Sequence, residues 1–179
     1  MMNDLVAEAA QVVSEHDDPA VATARAAIRR VLVATTDPLD RNQFDPGHLT
    51  ASGLVVSETS VALVFHTRIG AWLQPGGHID RTDRSLVAAA AREIREETGL
   101  SDLSYEGLID LDVHEVTGKE SEPPHTHFDV RFLFRSTSEP RLVPADDVSA
   151  ARWVPLSSVA DFTKEESVMR MIRKVNAQA

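Results

Sequence analysis

Apolar positions recur every three to four residues near both ends of the chain and every second residue through its middle. Leu5, Ala9, Val12 and Val13 form one stripe, which predicts a helix over 3–15 capped by Asn3 or Asp4. Beyond the Asp17-Asp18-Pro19 turn, Ala24, Ala27, Ile28, Val31 and Leu32 predict a second helix over 19–34. Thr36-Asp37-Pro38 and LDRNQFDPG then read as an irregular loop that ends at Gly47. Two segments rich in β-branched residues, 48–57 and 60–67, flank Glu58-Thr59 as in a hairpin. A short strand at 71–74 runs into a Pro75-Gly76-Gly77 turn.

The strongest helical signal lies at 84–98. Leu86, Ala90 and Ile94 repeat at four-residue spacing, and Val87 and Ala91 widen the packed side. Asp83 suits the N-cap, and Gly99 suits the left-handed residue that ends a helix, with Leu100 folding back. Segments 104–116 and 125–136 alternate. Ile109, Leu111 and Val113 oppose Asp110, Asp112 and His114, while Phe128, Val130, Phe132 and Phe134 oppose His125, His127, Asp129 and Arg131. Such alternation predicts an antiparallel pair with one face in solvent or lining a pocket. The loop 117–124 between them suits a lid or a plain connector. A last strand over 150–154 leads into terminal helices. Strands mixed with helices, without regular βαβ alternation, predict an α+β sandwich.

Within the 84–98 helix the acids stand out. Glu93, Glu96 and Glu97 are spaced i, i+3, i+4, so their carboxylates share a face, and they occupy the last two turns, where the helix dipole favours cations. Each like-charge pair costs roughly 0.2–0.5 kcal/mol before the dipole is counted. Two glutamates near a helix end are most often plain solvated surface. Preceded by Pro-Gly-Gly and followed by a glycine stop, they instead read as a site, because local rules are broken where function demands it. The chain has no cysteine, which removes disulfides, thiolate zinc sites and a Cys nucleophile together. Three convergent carboxylates therefore form a hard oxygen site suited to Mg²⁺ or Mn²⁺. The formal net charge of −10 over 179 residues works against nucleic-acid or anionic-membrane binding. A bound cation would let an anionic substrate approach all the same. With no apolar run of about 18 residues and no basic leader, the sequence predicts a cytoplasmic single-domain protein.

The stretch PGGHIDRTDRSLVAAAAREIREETGL, residues 75–100, resembles the Nudix box, G-x5-E-x7-R-E-U-x-E-E-x-G-U, where U is a bulky aliphatic residue. From Gly77 the match runs through Arg92-Glu93-Ile94, Glu96-Glu97 and Gly99-Leu100. Asp83 stands for the upstream glutamate, with eight rather than seven residues before Arg92, and reads as a helix cap rather than a catalytic group. Trp153-Val154-Pro155-Leu156 is similar to the W-x-P-L segment found late in this fold. The resemblance to Nudix (MutT-like) hydrolases implies an α/β/α sandwich around a mixed sheet, with 41–179 as the hydrolase domain and 1–40 as a helical extension packed on it. It implies hydrolysis of a nucleoside diphosphate linked to another moiety, by water, on a small phosphorylated nucleotide-type substrate. It also implies Mg²⁺, with Mn²⁺ as substitute, held by Glu93, Glu96, Glu97 and the Gly76 carbonyl, and Arg92 orienting the carboxylates. The alternative from another class is a non-catalytic nucleotide-sensing module on the same fold.

The substrate readers are expected on the polar strand faces and the glycine turn. Gly77 leaves room for close backbone approach. His78, His125 and His127 suit phosphate contact or base stacking, and Asp129 suits a metal or base role. His16, His48 and His66 read as structural or surface residues, and Trp72 and Trp153 as core. The N-terminal helices are compatible with covering a sheet edge, a homodimer contact, or shaping the pocket.

Overall fold

The change of period is realised as helices flanking a mixed sheet in the computed structural model, which describes residues 2–118, 122–144 and 148–178. The helices are α1 (Met2–Glu15), α2 (Ala22–Ala34), α3 (Leu86–Thr98), α4 (Val159–Phe162) and α5 (Glu166–Gln178). The strands are β1 (His48–Val56), β2 (Ser60–His66), β3 (Ala71–Leu73), β4 (Gly76–His78), β5 (Ser104–Val116), β6 (His125–Arg135) and β7 (Ala150–Pro155). Their central order is β3-β2-β1-β6-β5, with β4 on β1 and β7 on β2. β1 and β6 run parallel, and the other pairs are antiparallel. This is an α/β/α sandwich around a mixed sheet, as the resemblance implies, with a helical N-terminal extension. No helix among the described residues is long and apolar enough to cross a membrane.

Each sheet face has its own apolar core. On one side Leu49, Ala51 and Val55 of β1 and Val130 and Phe132 of β6 pack with Ile28, Val31, Leu86, Ala90 and Ile94 from the helices. Leu5, Ala9 and Val13 of α1 join the same cluster, so the N-terminal helices cover this face of the sheet. α1 also reaches the start of α3, where both oxygens of Glu8 accept the Leu86 N–H at 3.2 Å. On the opposite side Leu54, Val56, Leu63 and Leu133 pack under Val168, Met171 and Ile172 of α5.

Several local expectations are corrected. Ser85, not Asp83, caps α3, its Oγ accepting the Ala88 N–H at 3.0 Å from extended backbone. α1 already includes Asn3 and Asp4, so neither stands ahead of it as a cap. The 19–34 helix opens with a separate 3₁₀ turn, Pro19–Val21, capped by Asp18. Gly76 and Gly77 form a strand rather than a turn, pairing with Ser52 and Ala51 of β1. The polar face of β5 and β6 is not simply open to solvent: Asp110, Asp129 and Arg131 on it are buried, and Arg170 and Lys174 of α5 pair with Asp110. Residues 119–121 of the loop considered as a lid lie outside the described residues.

The sheet topology creates the cleft. β1 pairs with β2 only around Val55 and Val56, and further toward its start it pairs with β4 at 50–52. β2 turns instead to β3 at 64–66. The two central strands therefore part, and the glycine strand is laid into the opening against β1.

Candidate active site

α3 ends as its sequence demands: Gly99 adopts φ +77, and its N–H donates to Arg95 O at 2.9 Å. That stop leaves Glu93, Glu96 and Glu97 in the final turns, beside β4. Arg92 commits all five of its N–H donors. Nη1 donates to Glu93 Oε1 at 2.7 Å and to Glu96 Oε2 at 3.1 Å. Nε and Nη2 donate to the two Asp83 oxygens at 3.1 and 2.9 Å, and Nη2 donates also to His78 O at 2.8 Å. The hydrogen bond to Asp83, reinforced by Glu93, raises the Arg92 pKa, so its charge is permanent.

Glu97 is held differently. Its carboxylate is 2% exposed and accepts the Gly76 N–H at 3.0 Å, with His66 Nε2 at 3.9 Å from its other oxygen. The glycines explain the close approach. A Cβ on Gly77 would stand 2.7 Å from Glu93 Oε2, and one on Gly76 would stand 2.1 Å from Ser52 Cβ. Only hydrogen at these positions lets α3 press its acids onto β4 while β4 presses onto β1. A cavity of about 570 Å³ joins the loop Leu39–Asn42 to His78–Arg81, Arg92, Glu93 and Glu96.

On the other face of β4 lies a row of imidazoles. His48 and His127 are direct partners across β1 and β6, and His78 pairs with Thr50 one row further in. Ring centroids are 4.8 Å apart for His48–His127, 5.1 Å for His48–His78 and 5.4 Å for His78–His127. His125 stacks on His48 at 5.0 Å, and its Nε2 is 3.1 Å from His127 Nε2. Burial, aided by repulsion from neighbouring imidazoles, pushes His78 down to about 4 and His127 down to about 2, and burial lowers His48 as well. These three rings are neutral at neutral pH.

Beyond the imidazoles the same face carries ions. Asp129 is buried and held by three donors: the Thr50 and Ser52 hydroxyls at 3.0 and 2.8 Å and Arg131 Nε at 2.7 Å. Arg131 Nη2 donates to Asp112 at 2.9 Å, and Arg170 and Lys174 of α5 donate to Asp110 at 2.6 Å. Burial alone would raise the Asp112 pKa, but the His114 hydrogen bond and the Arg131 charge outweigh it and hold it down at about 2. This network ties α5 to the sheet.

The structure thus gathers Gly76, Gly77, Arg92, Glu93, Glu96 and Glu97 on the α3 side of β4, and His78, His125 and His127 across it. Asp129 lies deeper, locked to Arg131. His48, read from the sequence as structural or surface, sits at the centre of the histidine row. Its position at the head of a β-branched strand was visible, but its neighbours depend on the parallel pairing with β6.

The Nudix domain model matches residues 47–175. Phosphatase NudJ of Escherichia coli K12 is 34% identical over 121 residues, covering 65% of this chain and 72% of that protein. Among solved structures, the E. coli dihydroneopterin triphosphate pyrophosphohydrolase matches with a TM-score of 0.59 at 16% identity, over 73% of this chain and 96% of that one. A Caenorhabditis elegans Ap4A hydrolase binary complex gives 0.58 at 16%, over 72% and 95%. The Nudix domain of Shewanella oneidensis NrtR with ADP ribose gives 0.53 at 20%, over 73% and 86%. At these identities the structural likeness speaks for the fold alone.

Proposed function

The chain belongs to the Nudix hydrolase family, and from that premise we propose that it cleaves a phosphoanhydride bond in a nucleoside diphosphate linked to another moiety, with Mg²⁺ held by Glu93, Glu96, Glu97 and the Gly76 carbonyl. The observation that carries this reading is the Arg92 clamp, which binds Glu93 and Glu96 through one nitrogen while Asp83 fixes its other edge. Side chains that would repel one another are thereby held together at the wall of a cavity. Gly77 keeps the space beside Glu93 clear, and the Gly76 N–H orients Glu97. The donors are all hard oxygens, which fits Mg²⁺, with Mn²⁺ as substitute. When bound, the ion neutralises the diphosphate and acidifies a coordinated water.

The chain's own groups do the positioning. Asp83 and the His78 carbonyl stop the Arg92 guanidinium from swinging toward a phosphate, so its work is to space the carboxylates rather than to bind substrate. Glu93 and Glu96 line the cavity and Glu96 is 51% exposed, so these two face the reacting water. The proposed substrate is a phosphorylated, nucleotide-type molecule, an anion that this acidic site accepts only with its cation bound. The test is a phosphate-release screen with Mg²⁺ across nucleoside di- and triphosphates, nucleotide sugars, dinucleotides and ADP-ribose. Turnover of at least one class, lost on chelation, supports the reading; no turnover of any class above a Glu97→Gln control overturns it.

A further inference from the structure

Three imidazoles from three different strands converge where no short-range pattern requires them. One nitrogen each from His48, His78 and His127 lies within 4.8 Å of the others, and these are the residues that form such a metal-capable group among the described ones. His48 is fully buried. Its Nδ1 lies 3.2 Å from Gln43 O, and a carbonyl accepts only from an N–H, so the hydrogen is on Nδ1. Nε2 is then a bare lone pair, and it is buried with no hydrogen-bond partner. Leaving such an acceptor unsatisfied in the interior is costly. His125 repeats the pattern: Nδ1 is 2.8 Å from Pro123 O, and its Nε2 faces His127 Nε2 at 3.1 Å. Two ring nitrogens at that distance need a proton or a cation between them.

A ring whose Nδ1–H is tied to a carbonyl and whose Nε2 points at its neighbours is arranged as a metal-binding histidine is, with the second-shell acceptor fixing tautomer and orientation. A phosphate would need N–H donors in the same place, whereas His48 Nε2 is a buried acceptor and His125 turns its acceptor to His127. Hard Mg²⁺ prefers oxygen; a borderline first-row ion prefers imidazole.

We propose that His48, His78 and His127, with His125 beside them, form a second metal centre for a borderline divalent ion such as Zn²⁺, separate from the carboxylate site of α3. Tetrahedral zinc places its ligand nitrogens about 3.3 Å apart, so the rings close inward by small rotations on binding. Three protein nitrogens leave an open position, and His78 also lines the cavity that holds Glu93 and Glu96. The ion would add positive charge at the wall of the cleft. This inference does not depend on the carboxylates binding Mg²⁺.

The experiment titrates Zn²⁺, and separately Co²⁺, into the chelator-stripped protein in excess Mg²⁺, read by calorimetry and by visible Co²⁺ absorption. Expected are one bound ion per chain and the intense bands of a low-symmetry nitrogen site. Affinity should fall by about 10- to 100-fold or more in His78→Gln and His127→Gln and stay unchanged in Glu96→Gln, with circular dichroism confirming the fold of each. Absence of Zn²⁺ and Co²⁺ binding by the unaltered protein overturns the proposal whatever the variants do, and so does binding that survives both histidine substitutions.

Discussion

Asp83 grips Arg92 edge-on, with Nε to Oδ1 at 3.1 Å and Nη2 to Oδ2 at 2.9 Å. The residue that local rules assign to helix capping is thus the anchor of the guanidinium that spaces the acids. The turn before α3 sets its position: the Asp80 N–H donates to Asp83 Oδ2 at 2.8 Å, and the Asp83 N–H donates to Asp80 O at 3.0 Å. This closed turn absorbs the extra residue between Gly77 and Arg92 without disturbing the helix.

Because Arg92 uses five donors in a planar fork, lysine is not a conservative replacement. Arg92→Lys supplies three donors and leaves acids unpaired beside one another, at a cost of about 1–3 kcal/mol per unsatisfied group. Denaturant unfolding should show that loss of stability, and kcat should fall by about tenfold or more as Glu93 and Glu96 separate.

The two glycines of β4 should respond differently to the same methyl group. At Gly76 the new Cβ meets the Cα and Cβ of Ser52 in a paired strand, which has no room to yield, so Gly76→Ala should destabilise by about 1–3 kcal/mol. At Gly77 it meets the far end of the Glu93 side chain. Gly77→Ala should keep nearly full stability while losing activity and requiring more Mg²⁺. Parallel melting curves and Mg²⁺ titrations check the contrast.

How much of this was legible follows from what each signal measures. The stripe Leu86, Ala90, Ile94 and the stop at Gly99 are local, and α3 forms within two residues of its expected start. The glutamates were legible because they violate helix rules in one place. The polar face of Asp110, Asp129 and Arg131 reads alike in sequence whether water or another element covers it, and here Arg170 and Lys174 of α5 supply the charges that let it be buried. β5 also slips its register twice, between Tyr105 and Gly107 and between Leu108 and Asp110, so strict alternation fails there. The place of His48 depended on a parallel partner nearly eighty residues away, a contact that no local period encodes.

The buried ion network sets the acid limb of stability. Asp112 has its pKa lowered from 3.8 to about 2 in the folded protein, so its stabilising contribution is complete above 3.8 and is lost as pH falls through about 2. Asp112→Asn should therefore be less stable than the unaltered protein at neutral pH, and the gap should shrink as pH drops from 3.8 toward 2. Urea midpoints measured in parallel across that range test the sign; a gap that widens on acidification contradicts it.

In the proposed function, Glu93, Glu96 and Glu97 make hydrolysis depend on Mg²⁺. The most direct measurement is the rate as a function of Mg²⁺ concentration for the unaltered protein and for Glu93→Gln, Glu96→Gln and Glu97→Gln, on whichever nucleoside diphosphate derivative turns over fastest. Each substitution should lower kcat by about a hundredfold or more, and should raise the Mg²⁺ needed for half-maximal rate in any variant with residual turnover. Variants that fold normally and keep the rate and the Mg²⁺ response of the unaltered protein would contradict it.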